Sequence, residues 1–358
     1  MRANLVLLPG DGIGPEVIDA AARVLDRVAV RGGHQLKLES HPFGGAALRT
    51  GGPPLPDATR AACVAADAVL LGAVGGPEFD HGPAERRPET GLLQLRKELG
   101  VFANLRPARV WPGLEDGGTL KPDIIRGLDM LIVRELTGGL YYGEPRGRTE
   151  DDQAAFNTMR YSRPEIERIA VVAFESARQR RGLVTSVDKA NVLVTSRLWR
   201  EVVTEVGERY PDVRLEHQLV DSCALLMVSN PQKFDVVVAG NLFGDILSDE
   251  AGGIVGSLGL LPSASVGGRG GLFEPVHGSA PDIAGQNVAN PVAAIASAAM
   301  LLRHALGAAK EADAIERAIG ETLAAGARTA DLQAGAGAPL SCTGMTDAIL
   351  QRLDAIDV

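Results

Sequence analysis

Cysteine is scarce in this sequence. The chain of 358 residues holds three, Cys63, Cys223 and Cys342. An odd, widely spaced set supports neither a disulfide framework nor a thiolate zinc site, and it points to a reducing cytoplasm. Positive charge is also in deficit: Lys and Arg number 36 against 45 Asp and Glu, for a net charge of -9. That balance disfavours a nucleic-acid footprint, which calls for a basic face. Long hydrophobic runs are missing as well. The longest stretch of low charge, Pro291 to Leu302, is Ala-rich and stops at Arg303, short of the roughly 20 apolar residues of a membrane span. It reads as a buried helix. Near the N-terminus, the apolar run Leu5 to Leu8 ends at Pro9 and Gly10, too short for the core of an export signal. There is no repeat of solenoid period and no GxxxxGK[ST] phosphate loop.

What the chain does have is enough apolar substance for one or two full cores, with 45% hydrophobic residues. Short apolar runs, Leu5 to Leu8, Ala68 to Leu71, Met130 to Val133 and Val236 to Ala239, are bounded by Gly, Pro or Asp and alternate with helical patterns. That alternation predicts an α/β chain. A strand Val184 to Val187 should lead through a turn at Asp188 and Lys189 into an amphipathic helix over Asn191 to Tyr210. The stretch Gly335 to Pro339 reads as a loop before a last helix.

GDGIGPE, Gly10 to Glu16, stands after a strand and before a helix, where a dinucleotide fingerprint would be sought. The fingerprint's third glycine is replaced by Pro15, which instead suits the first turn of a helix over Glu16 to Arg27, so a plain turn is the simpler reading. GDILSDE is more informative. Asp245 and Asp249 stand four apart on one helix face at a strand end, with Asp221 upstream. They are either a solvated acidic face or, lacking His and Cys partners, oxygen ligands for Mg²⁺ or Mn²⁺.

Arg96, Arg106 and Arg134 lie among apolar neighbours in LLQLRKE, ANLRP and LIVREL. They serve as structural ion-pair partners or as forked donors for carboxylates. Arg96 follows Leu92 by four residues, so one helical face there presents both a guanidinium and an alkyl surface. Tyr141 and Lys189 are candidates for acid and base work, each needing a neighbouring charge or burial to act at neutral pH. The segment Glu274 to Pro291 crowds turn formers around His277 and carries Asp282 and Asn290. It is a generic loop or a holder of adenosine, with Asp282 accepting from ribose hydroxyls and repelling a 2′-phosphate.

Together GDGIGPE, ETGLLQLRKEL, FANLRP, LIVRELTGGLYYGEPRG, VDKANVL, GNLFGDILSDEAG, GSLGLLPSAS and FEPVHGSAPDIAG cover nearly the whole chain. In order and spacing they resemble the metal-dependent β-decarboxylating dehydrogenases of isocitrate/isopropylmalate dehydrogenase type. The resemblance implies that family's two-domain α/β fold, not a Rossmann fold. Its discontinuous first domain, 1–101 plus 254–358, would carry the NAD-binding loops and both termini, and 102–253 the dimerisation, metal and catalytic residues. It further implies a homodimer whose active sites are shared between subunits.

The implied reaction is oxidation and decarboxylation of 3-isopropylmalate to 4-methyl-2-oxopentanoate and CO2 with reduction of NAD, a step of leucine biosynthesis. By the same resemblance Arg96, Arg106 and Arg134 clamp substrate carboxylates. Asp245 and Asp249, with Asp221 from the partner chain, surround Mg²⁺ or Mn²⁺, and Asp221 also borders the substrate. Lys189, again from the partner, takes the hydroxyl proton, and Tyr141 protonates the enol after CO2 leaves. Glu89, Leu92 and Leu93, with the partner chain's Val192, match the isopropyl pocket. Isocitrate-using relatives place Ser or Thr and Asn there. Ile13, Glu274, His277, Gly278, Ser279, Ala280, Pro281, Asp282, Ile283 and Asn290 match the cofactor loops. Asp282 and Ile283 stand where NADP-using relatives carry Lys and Tyr, so NAD is implied. Gln286, Asn287 and Ser341 to Asp347 match weakly. Two rivals remain: a sister enzyme acting on tartrate, malate or homoisocitrate, and a silent regulatory subunit, which should have lost one of Tyr141, Lys189, Asp221 or Asp245.

Overall fold

A computed structural model describes residues 1–81, 83–116, 120–332 and 337–357. The chain divides into two units: the first is Met1–Val101, Val110–Thr119 and Val255–Val358, and the second is Phe102–Arg109 and Leu120–Ile254. The strands among the described residues are β1 (Arg2–Gly10), β2 (Gln35–Ser40), β3 (Ala68–Ala73), β4 (Ala103–Arg109), β5 (Asp129–Glu135) and β6 (Gly147–Arg148). They continue with β7 (Ala155–Phe156), β8 (Leu183–Asp188), β9 (Arg214–Leu219), β10 (Val236–Ala239), β11 (Pro262–Val266) and β12 (Leu272–Pro275).

In the first unit the order is β2-β1-β3-β12-β11, parallel except for the antiparallel pair β11 and β12. Every residue of β3 is buried, as a strand covered on both faces requires, and that is why it reads in sequence as one apolar run. The helix Gly14–Arg31 packs against β1 and β3 and against the helices Val292–His304 and Cys342–Asp354, with most of its apolar residues from Val17 to Ala29 buried. It begins before the expected Glu16, with Pro15 in its first turn, and runs past Arg27 to Arg31. The helix Val292–His304 is buried throughout Val292 to Leu302, as the low charge of that stretch predicted. Of the loop expected over Gly335 to Pro339, Gly335 and Ala336 lie outside the described residues. The helix Cys342–Asp354 follows, opened by Ser341 Oγ accepting from Gly344 N at 3.1 Å.

In the second unit the order is β4-β5-β10-β8-β9, with β4 antiparallel to β5 and the remaining neighbours parallel. β6 and β7 form a separate antiparallel ribbon that is exposed along both strands. The strand expected at Val184 is β8. The helix after it starts at Val194, not Asn191, and ends at Gly207. The delay has a local cause: the Asp188 carboxylate accepts from Ala190 N at 2.8 Å, and Val192 and Leu193 donate back to Lys189 O, so these residues close a turn before the helix begins. No helix of the described residues is long and apolar enough to cross a membrane.

Candidate active site

In the second unit the sheet brings the predicted groups to one place. Arg134 lies near the end of β5, Arg106 is on the neighbouring β4, and the chain after β10 turns directly into the helix Asn241–Val255 that carries Asp245 and Asp249. Asp245 is the meeting point. Its Oδ1 accepts from Arg134 Nη1 and, at 3.4 Å, from Arg106 Nη1; its Oδ2 accepts from the Tyr141 hydroxyl at 2.9 Å. The Arg134 guanidinium also stands 5.7 Å from the centre of the Tyr141 ring. One turn along the helix, Asp249 Oδ1 is 3.6 Å from Arg106 Nη1 and its side chain is 62% exposed, open to a further ligand.

The guanidiniums are buried and aimed. Arg106 donates to Asn104 Oδ1 at 2.6 Å and to Ser248 Oγ at 2.6 Å, which fixes the plane of its fork. Burial raises the Tyr141 pKa, and the hydrogen bond to the Asp245 carboxylate raises it further. The phenol therefore keeps its proton at neutral pH and has one to give. Burial likewise raises the Asp249 pKa, against the pull of Arg106.

Tyr141 reaches this cluster from a tight turn after β5. Gly139 in that turn has φ +71°, and a Cβ there would lie 2.5 Å from the Tyr161 hydroxyl, so only glycine fits. Lys189 and Asp221 form a second cluster of the same unit, with Lys189 Nζ donating to Asp221 Oδ1 at 2.7 Å. That bond holds the Asp221 carboxyl below its ordinary pKa. Among the described residues no group of three or more His, Cys, Asp or Glu is gathered for a metal, so this chain does not itself bring Asp221 to Asp245 and Asp249. Val192, in the turn after Lys189, is 61% exposed.

The first unit holds the rest. Glu89, Leu92, Leu93 and Arg96 share the helix Pro88–Leu99, with both leucines half-buried. Arg96 Nη2 donates to Glu274 Oε1 at 2.8 Å, so a predicted substrate residue and a predicted cofactor residue form one buried pair. GDGIGPE is a turn that packs on a second loop. Ile13 N donates to Ser279 O at 2.8 Å, and a Cβ on Gly12 would fall 1.9 Å from that same carbonyl oxygen, so the first Gly-rich loop and the His277 loop are closed against each other. His277 Nδ1 is 2.9 Å from Gly278 O, while Nε2 is buried without a partner. Along Gly278 to Ile283, Ser279 is buried and the others are exposed or half-buried, with Asp282 exposed. Asn290 is turned inward, donating to Asp331 at 3.0 Å and accepting from Val292 N at 3.0 Å.

Several residues that build these clusters were not singled out from the sequence. Asp11, fully buried, accepts from Gly45 N and Gly75 N at 2.8 and 3.0 Å. Glu135 is buried at the end of β5 and accepts from Thr137 N and Gly138 N at 2.9 and 2.8 Å. Asn241 and Tyr161 support the Tyr141 turn. For Asp11 and Asn241 the sequence signal is a polar residue next to a glycine at a strand end, which turns also produce; Glu135 and Tyr161 carry no such signal.

The family described as isocitrate/isopropylmalate dehydrogenase matches residues 4–349 of the chain. A 3-isopropylmalate dehydrogenase of Wolinella succinogenes is 56% identical over 342 residues, covering 96% of this chain and 95% of that protein. A 3-isopropylmalate dehydrogenase of Anaeromyxobacter dehalogenans is 55% identical, covering 99% of this chain and all of that one. Among solved structures, an isocitrate dehydrogenase from Methylococcus capsulatus superposes with a TM-score of 0.88 at 38% identity, over 98% of this chain and 99% of that chain.

Proposed function

The chain belongs to the isocitrate/isopropylmalate dehydrogenase family, and from that premise we propose that it oxidises and decarboxylates 3-isopropylmalate with NAD and a divalent cation, as leucine biosynthesis requires. The observation that carries the chemistry is the Asp245 cluster, where two arginines, a phenol and a second carboxylate converge on one helix. Substrate choice rests on Leu92 and Leu93. Neither offers a hydrogen bond, so a third carboxylate placed beside them would lose its water without replacement, whereas an alkyl branch gains by burial. The relatives named 3-isopropylmalate dehydrogenase are 52 to 56% identical to this chain, against 38% for the isocitrate dehydrogenase, which favours the same reading.

The residues suit both cofactors. Asp245 and Asp249 offer hard oxygen donors on successive turns, the set Mg²⁺ or Mn²⁺ prefers, with Asp221 of the partner subunit proposed as the third acid. When bound there, the cation supplies positive charge that stabilises the oxyanion developing on oxidation and decarboxylation. Burial lowers the His277 pKa and keeps the ring neutral, and its buried Nε2, which has no partner, is proposed to meet the adenosine part of NAD; Asp282 suits the ribose hydroxyls. When bound, NAD supplies the hydride acceptor.

The chain's own residues do the rest. Arg106 and Arg134 orient substrate carboxylates by forked donors, and Arg96 of the first unit is assigned the same role. Lys189 of the partner subunit takes the hydroxyl proton, by this reading, and its pairing with Asp221 supports the two acting together. Tyr141, kept as a phenol, gives its proton to the enol carbon after CO2 leaves. The same requirement for partner residues calls for a homodimer. The second unit has the surface for one: Leu225 and Ile246 are 69% and 57% exposed on the helices Val220–Ser229 and Asn241–Val255, and Phe156 is 45% exposed on the β6–β7 ribbon. The three cysteines are buried and unpaired, which suits a cytoplasmic setting.

The test is stoichiometry. With 3-isopropylmalate, NAD and Mn²⁺, NADH and CO2 should form in equal amounts, stop on chelation and resume when Mn²⁺ is returned. NADH without CO2, or turnover that a chelator leaves untouched, overturns the proposal.

A further inference from the structure

Asn241, the first residue of the helix Asn241–Val255, is 1% exposed, and its side-chain amide makes four hydrogen bonds. The Oδ1 atom accepts from Arg134 Nε at 3.1 Å and from Arg134 Nη2 at 2.8 Å. The Nδ2 atom donates to Leu136 O at 2.9 Å and to Gly138 O at 3.2 Å. Two acceptor sites and two N–H donors are the full capacity of a primary amide, so this one is saturated. Its two halves serve different clients. The oxygen fixes the Arg134 fork, whose remaining arm reaches Asp245, and the nitrogen fixes the carbonyls of the turn that leads to Tyr141, whose hydroxyl reaches the other oxygen of Asp245.

That turn is held from both sides. Glu135 accepts from the N–H groups of Thr137 and Gly138, while Asn241 donates to the carbonyls of Leu136 and Gly138. The Asn241 backbone N–H donates to the Tyr161 hydroxyl at 2.7 Å, and that hydroxyl packs where a Cβ on Gly139 would be. We infer that Asn241 is a positioning residue which sets Arg134 and Tyr141 against Asp245 together, so that carboxylate binding and proton delivery share one anchor. The inference rests on the reading of Tyr141 as the proton donor after hydride transfer. Aspartate in this place keeps an acceptor for Arg134 but turns a second acceptor toward two carbonyl oxygens, so it releases the turn while keeping the arginine.

The test is Asn241→Asp, alone and combined with Tyr141→Phe, in the full-length enzyme. In the first turnover, the ratio of the NADH burst rate to the steady-state rate should rise about tenfold, because a step after hydride transfer is slowed; a purely structural defect lowers both phases together. In the Tyr141→Phe background the second substitution should change the steady-state rate by less than about twofold, because the two act as a unit. Hydrogen exchange of the peptide spanning 135–143 should also quicken, with the helix Arg163–Arg178 unchanged. Additive losses in the double variant, or unchanged exchange in that peptide, overturn the inference. If Tyr141→Phe itself slows no step after hydride transfer, the reading of Tyr141 fails instead, and the exchange measurement alone decides whether Asn241 holds the turn. Should Asn241→Asp not accumulate as folded protein, Asn241→Ser, with room for a bridging water, takes its place under the same outcomes.

Discussion

The Tyr141 hydroxyl donates to Asp245 Oδ2 at 2.9 Å, while Arg134 engages the other oxygen of the same carboxylate. One acid thus aligns a proton donor and a carboxylate binder. It faces a second acid, Asp249, one turn along its helix.

Asp245→Asn preserves shape and removes the charge on which this arrangement and the cation site depend. Turnover should fall by about 100-fold or more, the scale of losing one preorganised electrostatic partner. Steady-state NADH formation reads the loss, and sedimentation velocity should show the dimer intact. Near-normal turnover would remove Asp245 from the cation site.

Tyr141→Phe removes one hydroxyl and leaves the ring against Arg134. Steady-state turnover should drop by about 100-fold, as expected for a lost general acid. The rate of NADH formation in the first turnover should change far less. Equal slowing of both phases would place Tyr141 elsewhere in the reaction.

How much of this was legible in the sequence depended on whether a signal was local. The all-apolar run Val236 to Ala239 became β10 at the same residues, because a central strand buried on both faces has to be apolar throughout. β2 and β9 were not legible. QLKLES and RLEHQL stand at the outer ends of the two strand orders, the first with its polar side chains exposed and the second half-buried along most of its length, so neither is an all-apolar run. Asp245 and Asp249 could be placed on one helix face by spacing alone, but the convergence of Arg106, Arg134 and Tyr141 on Asp245 comes from the pairing of β4 with β5 and of β5 with β10. Asn241 looks like any turn residue after a strand, and its four hydrogen bonds exist only once those strands are in register.

Cofactor preference should follow the exposed loop of the first unit. Asp282→Lys with Ile283→Tyr replaces a ribose acceptor by a cation able to meet a 2′-phosphate. The ratio of kcat/KM for NADP to that for NAD should rise at least about tenfold. An unchanged ratio would release Asp282 from that role.

Acid should destabilise the fold partly through His217. Burial, helped by Arg200, pushes its pKa below 6.5, so the folded chain keeps the ring neutral while the unfolded chain takes up a proton. The folded pKa is lowered for a base, so stability is lost as pH falls through and below 6.5. His217→Gln should flatten the fall in Tm between about pH 8 and about pH 5 relative to the parent protein. A parallel fall in both proteins would acquit His217.

The central claim is the choice of substrate, and the most direct measurement compares kcat/KM for 3-isopropylmalate, isocitrate, malate and tartrate under identical NAD and Mn²⁺. The account predicts that 3-isopropylmalate leads isocitrate by at least about 100-fold, because Leu92 and Leu93 offer a third carboxylate no hydrogen bond. Preference for any of the other three acids would contradict it, and silence with all four would favour a regulatory subunit that keeps the fold without the reaction.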